Sequence, residues 1–77
     1  MEDNQVLNHI KALTEKEEKL WGNENITDDD VQQLHKIKLE LDQYWDLLSQ
    51  RRALRDAHKN PDKAGIRDID TIENYKN

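Results

Sequence analysis

The sequence predicts an all-α fold: an antiparallel hairpin of two helices followed by a short C-terminal tail. Three observations carry this. Apolar or long-stemmed residues recur at steps of three and four through Val31, Leu34, Lys38, Leu41, Trp45, Leu48, Arg52 and Arg55, a spacing that keeps one helical face toward a partner. A shorter stripe of the same kind, Val6, Ile10, Leu13, Glu17 and Leu20, precedes it. The connection expected between them, residues 22–27, is short, and a short connection makes neighbouring helices antiparallel.

The first helix is expected from about residue 4 to residue 21. Asp3 or Asn4 can cap it, because a short side-chain oxygen accepts from an unpaired first-turn N–H. Gly22-Asn23 should end it, with glycine taking the left-handed conformation at no Cβ cost. The second helix is expected over about residues 28–58. Thr27 stands at the N-cap and Asp30 three residues on, in the place of the capping-box acid. Ile26 and Val31 are spaced as a hydrophobic staple. Asp28, Asp29 and Asp30 suit the positive first turn, and the triple aspartate reads as helix initiation rather than as a metal site. Cations gather at the other end, Arg51, Arg52, Arg55, His58 and Lys59, where the dipole is negative. Asn60-Pro61 then breaks the helix.

The tail is less regular. Pro61 to Ala64 can make one turn ended by Gly65, and Asp70-Thr71-Ile72-Glu73 resembles a capping box for a last short helix. The expected organisation is therefore a hairpin over residues 1–58 and a partly ordered tail over 59–77. With the stripes laid antiparallel, Leu20 faces Leu34, Leu13 faces Leu41, Ile10 faces Trp45 and Val6 faces Leu48. Glu17 then faces Lys38, and Asp3 falls near Arg52. Trp21 becomes a lid over the loop end.

Composition narrows the function. The chain has 77 residues, 34% hydrophobic and 38% charged, with a net charge of −5 and no cysteine. So small a core rarely contributes more than about 3–5 kcal/mol, and disulfides are excluded. His9, His35 and His58 lack zinc-like spacing, and no metal or cofactor is implied. The acidic balance weighs against nucleic acid. No apolar run approaches the roughly 20 residues of a membrane span, and a cytoplasmic protein is expected. Two helices alone cannot enclose Tyr44, Trp45, Leu47, Leu48 and Leu54 on every side. These five are the expected interface of a homodimer, two hairpins forming a coiled-coil-like four-helix bundle. The alternative partner is another protein.

The stretch Glu40-Leu41-Asp42-Gln43-Tyr44-Trp45-Asp46-Leu47-Leu48-Ser49-Gln50-Arg51-Arg52-Ala53-Leu54-Arg55, with Asn60-Pro61-Asp62-Lys63-Ala64 and Ile72-Glu73-Asn74-Tyr75, resembles a family of small bacterial proteins known only as a domain of unknown function. That family has an ELDQ-x-WDLL-x-QRRA-x-R core. The resemblance implies a small helical hairpin and no activity, cofactor or catalytic residue.

Arg51, Arg52 and Arg55 form a candidate anion site, since arginine forks suit phosphate or carboxylate. The competing reading is dipole compensation with salt bridges to Glu2, Asp3, Asp46, Asp56 and Asp62. All-helical chorismate mutases place arginines on long helices in a similar way, but helix one here offers only Lys11, Lys16 and Lys19. The phosphatases of the sporulation phosphorelay are small helical hairpins too. Lys38-Leu39-Glu40-Leu41-Asp42 partly resembles their SQELD stretch but lacks the serine. A phosphoryl-signalling partner therefore stands as an alternative. The expected function is that of a non-enzymatic helical interaction module.

Overall fold

The computed structural model describes the backbone of residues 2–76 and the side chains of residues 2–72. Helix α1 spans Asp3–Trp21 and helix α2 spans Asp28–Asp56; a single 3-10 turn follows at Pro61–Lys63, and α3 spans Ile69–Lys76. The two long helices pack side by side in opposite directions. Asp3, at the start of α1, meets Arg51 and Arg55 near the end of α2. Trp21, at the end of α1, borders the same depression as Val31 and Leu34. The tail turns back and packs on α2. We call the Asp3/Arg51 end the base and the Trp21/Val31 end the tip.

The helix boundaries follow local chemistry. Thr27 caps α2 as expected. The Asp30 amide donates to Thr27 Oγ1 at 3.2 Å and the Thr27 amide to Asp30 Oδ2 at 3.1 Å. At α1 the cap is Glu2 instead of Asp3 or Asn4, and its amide donates to Gln5 Oε1 at 2.8 Å. Asp3 thereby becomes a first-turn residue with its carboxylate free to reach α2. Gly22 ends α1 with φ −77°, in the right-handed region, so its missing Cβ is not required for a left-handed turn. The left-handed residue is His58, at φ 59°. Its amide donates to the Arg55 carbonyl and that of Lys59 to the Leu54 carbonyl, the paired closure of a Schellman motif. This closure stops α2 at Asp56, two residues before the expected end. In the tail, the Ile72 amide donates to the Asp68 carbonyl, so α3 begins ahead of the Asp70 box.

The buried face of α2 differs from the expected stripe by one residue at alternate steps. Leu34, Ile37, Leu47 and Arg51 are buried and Leu41, Tyr44 and Leu48 half-buried; Lys38 and Arg52 are exposed, and Trp45 is 50% exposed. Both stripes share Leu34, Leu41 and Leu48, and both obey the same spacing. The packing takes Ile37 in place of Lys38, which leaves an ammonium in water and puts an aliphatic side chain inside. It takes Arg51 in place of Arg52 because two carboxylates await it. The core then forms from Val6, Ile10 and Leu47, with Leu41, Tyr44, Leu48 and Ala64 against it. Full burial of such side chains contributes roughly 1.5–3 kcal/mol each. Tyr44 also stacks on His9, ring centres 4.9 Å apart. Ile26 and Val31 stay 41% and 55% exposed and Trp21 62%, so the staple and the lid both remain open to solvent.

Candidate functional site

Polar contacts concentrate at the base, and they are built from α2 outward. Arg51 sits one turn beyond Leu47 and is 5% exposed. Its Nε donates to Asp3 Oδ1 at 2.6 Å, and its Nη1 to Asp62 Oδ1 at 3.1 Å and to the Pro61 carbonyl at 3.3 Å. Arg55 Nη1 donates to the other oxygen of Asp3 at 2.5 Å. One carboxylate thus bridges two arginines four residues apart, on one helical face. The Arg51 hydrogen bond, reinforced by Arg55, holds the Asp3 carboxyl below its ordinary range against a smaller opposing effect of desolvation. The same bond to Asp3 raises the Arg51 guanidinium above its usual value.

A second row of polar residues holds the tail. Gln43 Nε2 donates to the Arg67 carbonyl at 3.2 Å. Gln50 Nε2 donates to the Gly65 carbonyl at 2.8 Å, and the Gly65 amide returns a 3.4 Å bond to Gln50 Oε1. Asp46 accepts from Gln50 Nε2 at 2.8 Å and from Arg67 Nε at 2.8 Å, with Arg67 Nη2 on its other oxygen. Residues 43, 46 and 50 share one helical face. The stretch that resembles the bacterial family therefore uses Gln43, Asp46, Gln50 and Arg51 to dock the tail.

Sequence reasoning missed Gln43, Asp46, Gln50 and Arg67 as a set. Their three-and-four spacing was visible, but nothing local marks Arg67 as the partner of a residue 21 positions earlier. Asp3 was expected beside Arg52 and instead holds Arg51 and Arg55.

Of the three arginines proposed to bind an anion, Arg51 and Arg55 are occupied from within by Asp3 and Asp62, while Arg52 points to solvent on a different face. Of the five expected interface residues, Leu47 is buried in the chain's own core, and Tyr44, Leu48 and Leu54 are half-buried. Only Trp45 keeps a broad exposed surface.

The tip is different. Glu17 and Trp21 of α1 and Val31, Leu34, His35 and Lys38 of α2 line an open depression on one side of the seam. Its floor is apolar, and Glu17 and Lys38 stand on opposite helices. Among the described residues neither makes an ion pair within 4 Å. Leu13, Lys16, Gln33, Lys36, Ile37 and Glu40 line a more polar depression as well. Among the described residues no helix is long and apolar enough to cross a membrane, and no group of histidines and carboxylates is placed to hold a metal ion.

The family model described as a protein of unknown function (DUF2630) matches residues 2–77. The uncharacterized proteins Mb0922c of Mycobacterium bovis and Rv0898c of Mycobacterium tuberculosis are each 42% identical to this chain over 77 residues, covering 95% of it and 88% of the relative. No solved structure matches. On the family match across nearly its whole length, this chain belongs to DUF2630, a family of proteins of unknown function.

Proposed function

We propose that this chain is a non-enzymatic helical protein–protein interaction module that works as a homodimer. The observation that supports this is surplus surface. The chain exposes 6007 Å². A compact protein of 9.2 kDa is expected to expose about 4,900 Å². The excess, about 1,100 Å², compares with the roughly 800 Å² that each partner contributes to a standard stable interface.

The shape gives the reason. The Cα trace measures 49 × 27 × 14 Å, an elongated and flattened form with much surface for its mass. Domains normally bury their apolar stripes between two layers. A second copy supplies the missing layer without any further sequence. Sedimentation velocity across a concentration series tests the reading. Dimers are expected in the micromolar range, and a monomer persisting at high micromolar concentration rejects it.

A further inference from the structure

We infer that the second copy docks on the apolar depression at the tip, related by a two-fold axis, so that Glu17 of each chain lies against Lys38 of the partner subunit. This deepens the homodimer reading and rests on it.

The argument runs from the charges. The ion pairs among Asp3, Asp46, Arg51, Arg55, Asp62 and Arg67 all lie toward the base. At the tip, the acid Glu17 and the base Lys38 flank an apolar floor and leave each other unpaired. A patch that meets its own copy across a two-fold axis places each residue i against j and each j against i. One acid on α1 and one base on α2 make a patch of that kind self-complementary, and the contact gains two cross-chain pairs. A partner of a single charge sign would match one of the two and oppose the other.

The apolar content is right for the centre of such a contact. Trp21 is 62% exposed and Val31 55%, and tryptophan is the side chain most often found at the energetic centre of an interface. The hydrogen bonds that hold the tail fall between Gln43 and Arg51, so they do not occupy this ground.

Charge reversal across two chains tests the assignment. Glu17→Lys and Lys38→Glu should each raise the dimer dissociation constant about tenfold or more, because each sets two like-charge pairs face to face. An equimolar mixture of the two variants should associate as a heterodimer with near wild-type affinity, and Glu17→Lys with Lys38→Glu in one chain should restore the homodimer. Trp21→Ala should weaken association about a hundredfold. Trp21 and Lys38 are exposed and Glu17 is half-buried, and far-UV circular dichroism checks that the helices persist. If the single reversals dimerise as the wild type does, the tip assignment is overturned while self-association stands. If they fail to dimerise and mixing does not rescue them, the cross-chain pairing is overturned. A monomeric wild type rejects both readings.

Discussion

The two ends of the hairpin are built from the same helices on the same spacing, yet they are closed in opposite ways. At the base, Val6, Ile10 and Leu47 lie under a tail that is fastened by named polar bonds. At the tip, Leu34 and Ile37 are buried, but Trp21, Ile26 and Val31 around them stay in water. The contrast separates two tasks of a small fold. Apolar burial contributes most of the stability. Oriented polar contacts choose which of several similar packings is adopted. The base has both between separate elements, whereas the polar bonds described at the tip are those of the Thr27–Asp30 cap, local to the start of α2.

The contrast is broken most sharply by truncating one residue at each end. Leu47→Ala should cost about 2–5 kcal/mol, comparable to all that a core of this size supplies, so urea denaturation should find the chain largely unfolded. Val31→Ala should change monomer stability by less than about 0.5 kcal/mol. Equal effects would erase the distinction between the ends.

Arg51→Ala comes next. It leaves the Asp3 and Asp62 carboxylates without their shared partner, so the tail should loosen before the hairpin does. Hydrogen exchange at the Ile72 amide should speed up by roughly tenfold or more, with little change at Leu34. Uniform acceleration would mean that the base and tip unfold as one unit.

Acid should weaken the same contact from the Asp3 side. Asp3 titrates below its ordinary value in the folded chain, chiefly because of Arg51. Its contribution is therefore full above the unfolded value of about 3.9 and is lost as the pH falls through the lower folded value. Protection of the first-turn amides of α1, taken relative to the intrinsic exchange rate at each pH, should fall below about pH 4, and Asp3→Asn should remove that component.

The smallest effects concern the ends of α2. Thr27→Ala, at the tip, should cost about 1 kcal/mol. His58→Gly, at the base, should gain about 1 kcal/mol by relieving a left-handed residue that carries a Cβ. Thermal melts of the two variants should shift in opposite directions.

Much of this fold is legible in the sequence because it depends on neighbours. The two helices, the Thr27–Asp30 cap and the break at Pro61 each follow from residues within a few positions of one another. The buried face of α2 was not legible. The stripes through Lys38, Trp45 and Arg52 and through Ile37, Tyr44 and Arg51 are equally periodic. The choice between them falls to partners far along the chain, with Asp3 lying 48 positions from Arg51. The same holds for the base contacts, since Arg67 finds Asp46 only once the tail has turned back. The tip depression was partly visible in the pairing of Glu17 with Lys38, although the structure sets these two on a rim.

The pair of hydrogen bonds between Gln50 and Gly65 has an evolutionary corollary. The glutamine amide grips a peptide unit, and nothing stands within 4 Å of where a Cβ on Gly65 would lie. A clasp that recognises main chain is indifferent to the side chain it carries, with proline barred for want of an N–H. Lineages can thus rewrite that part of the strand without unfastening it, while the glutamine that does the gripping has far less liberty to drift.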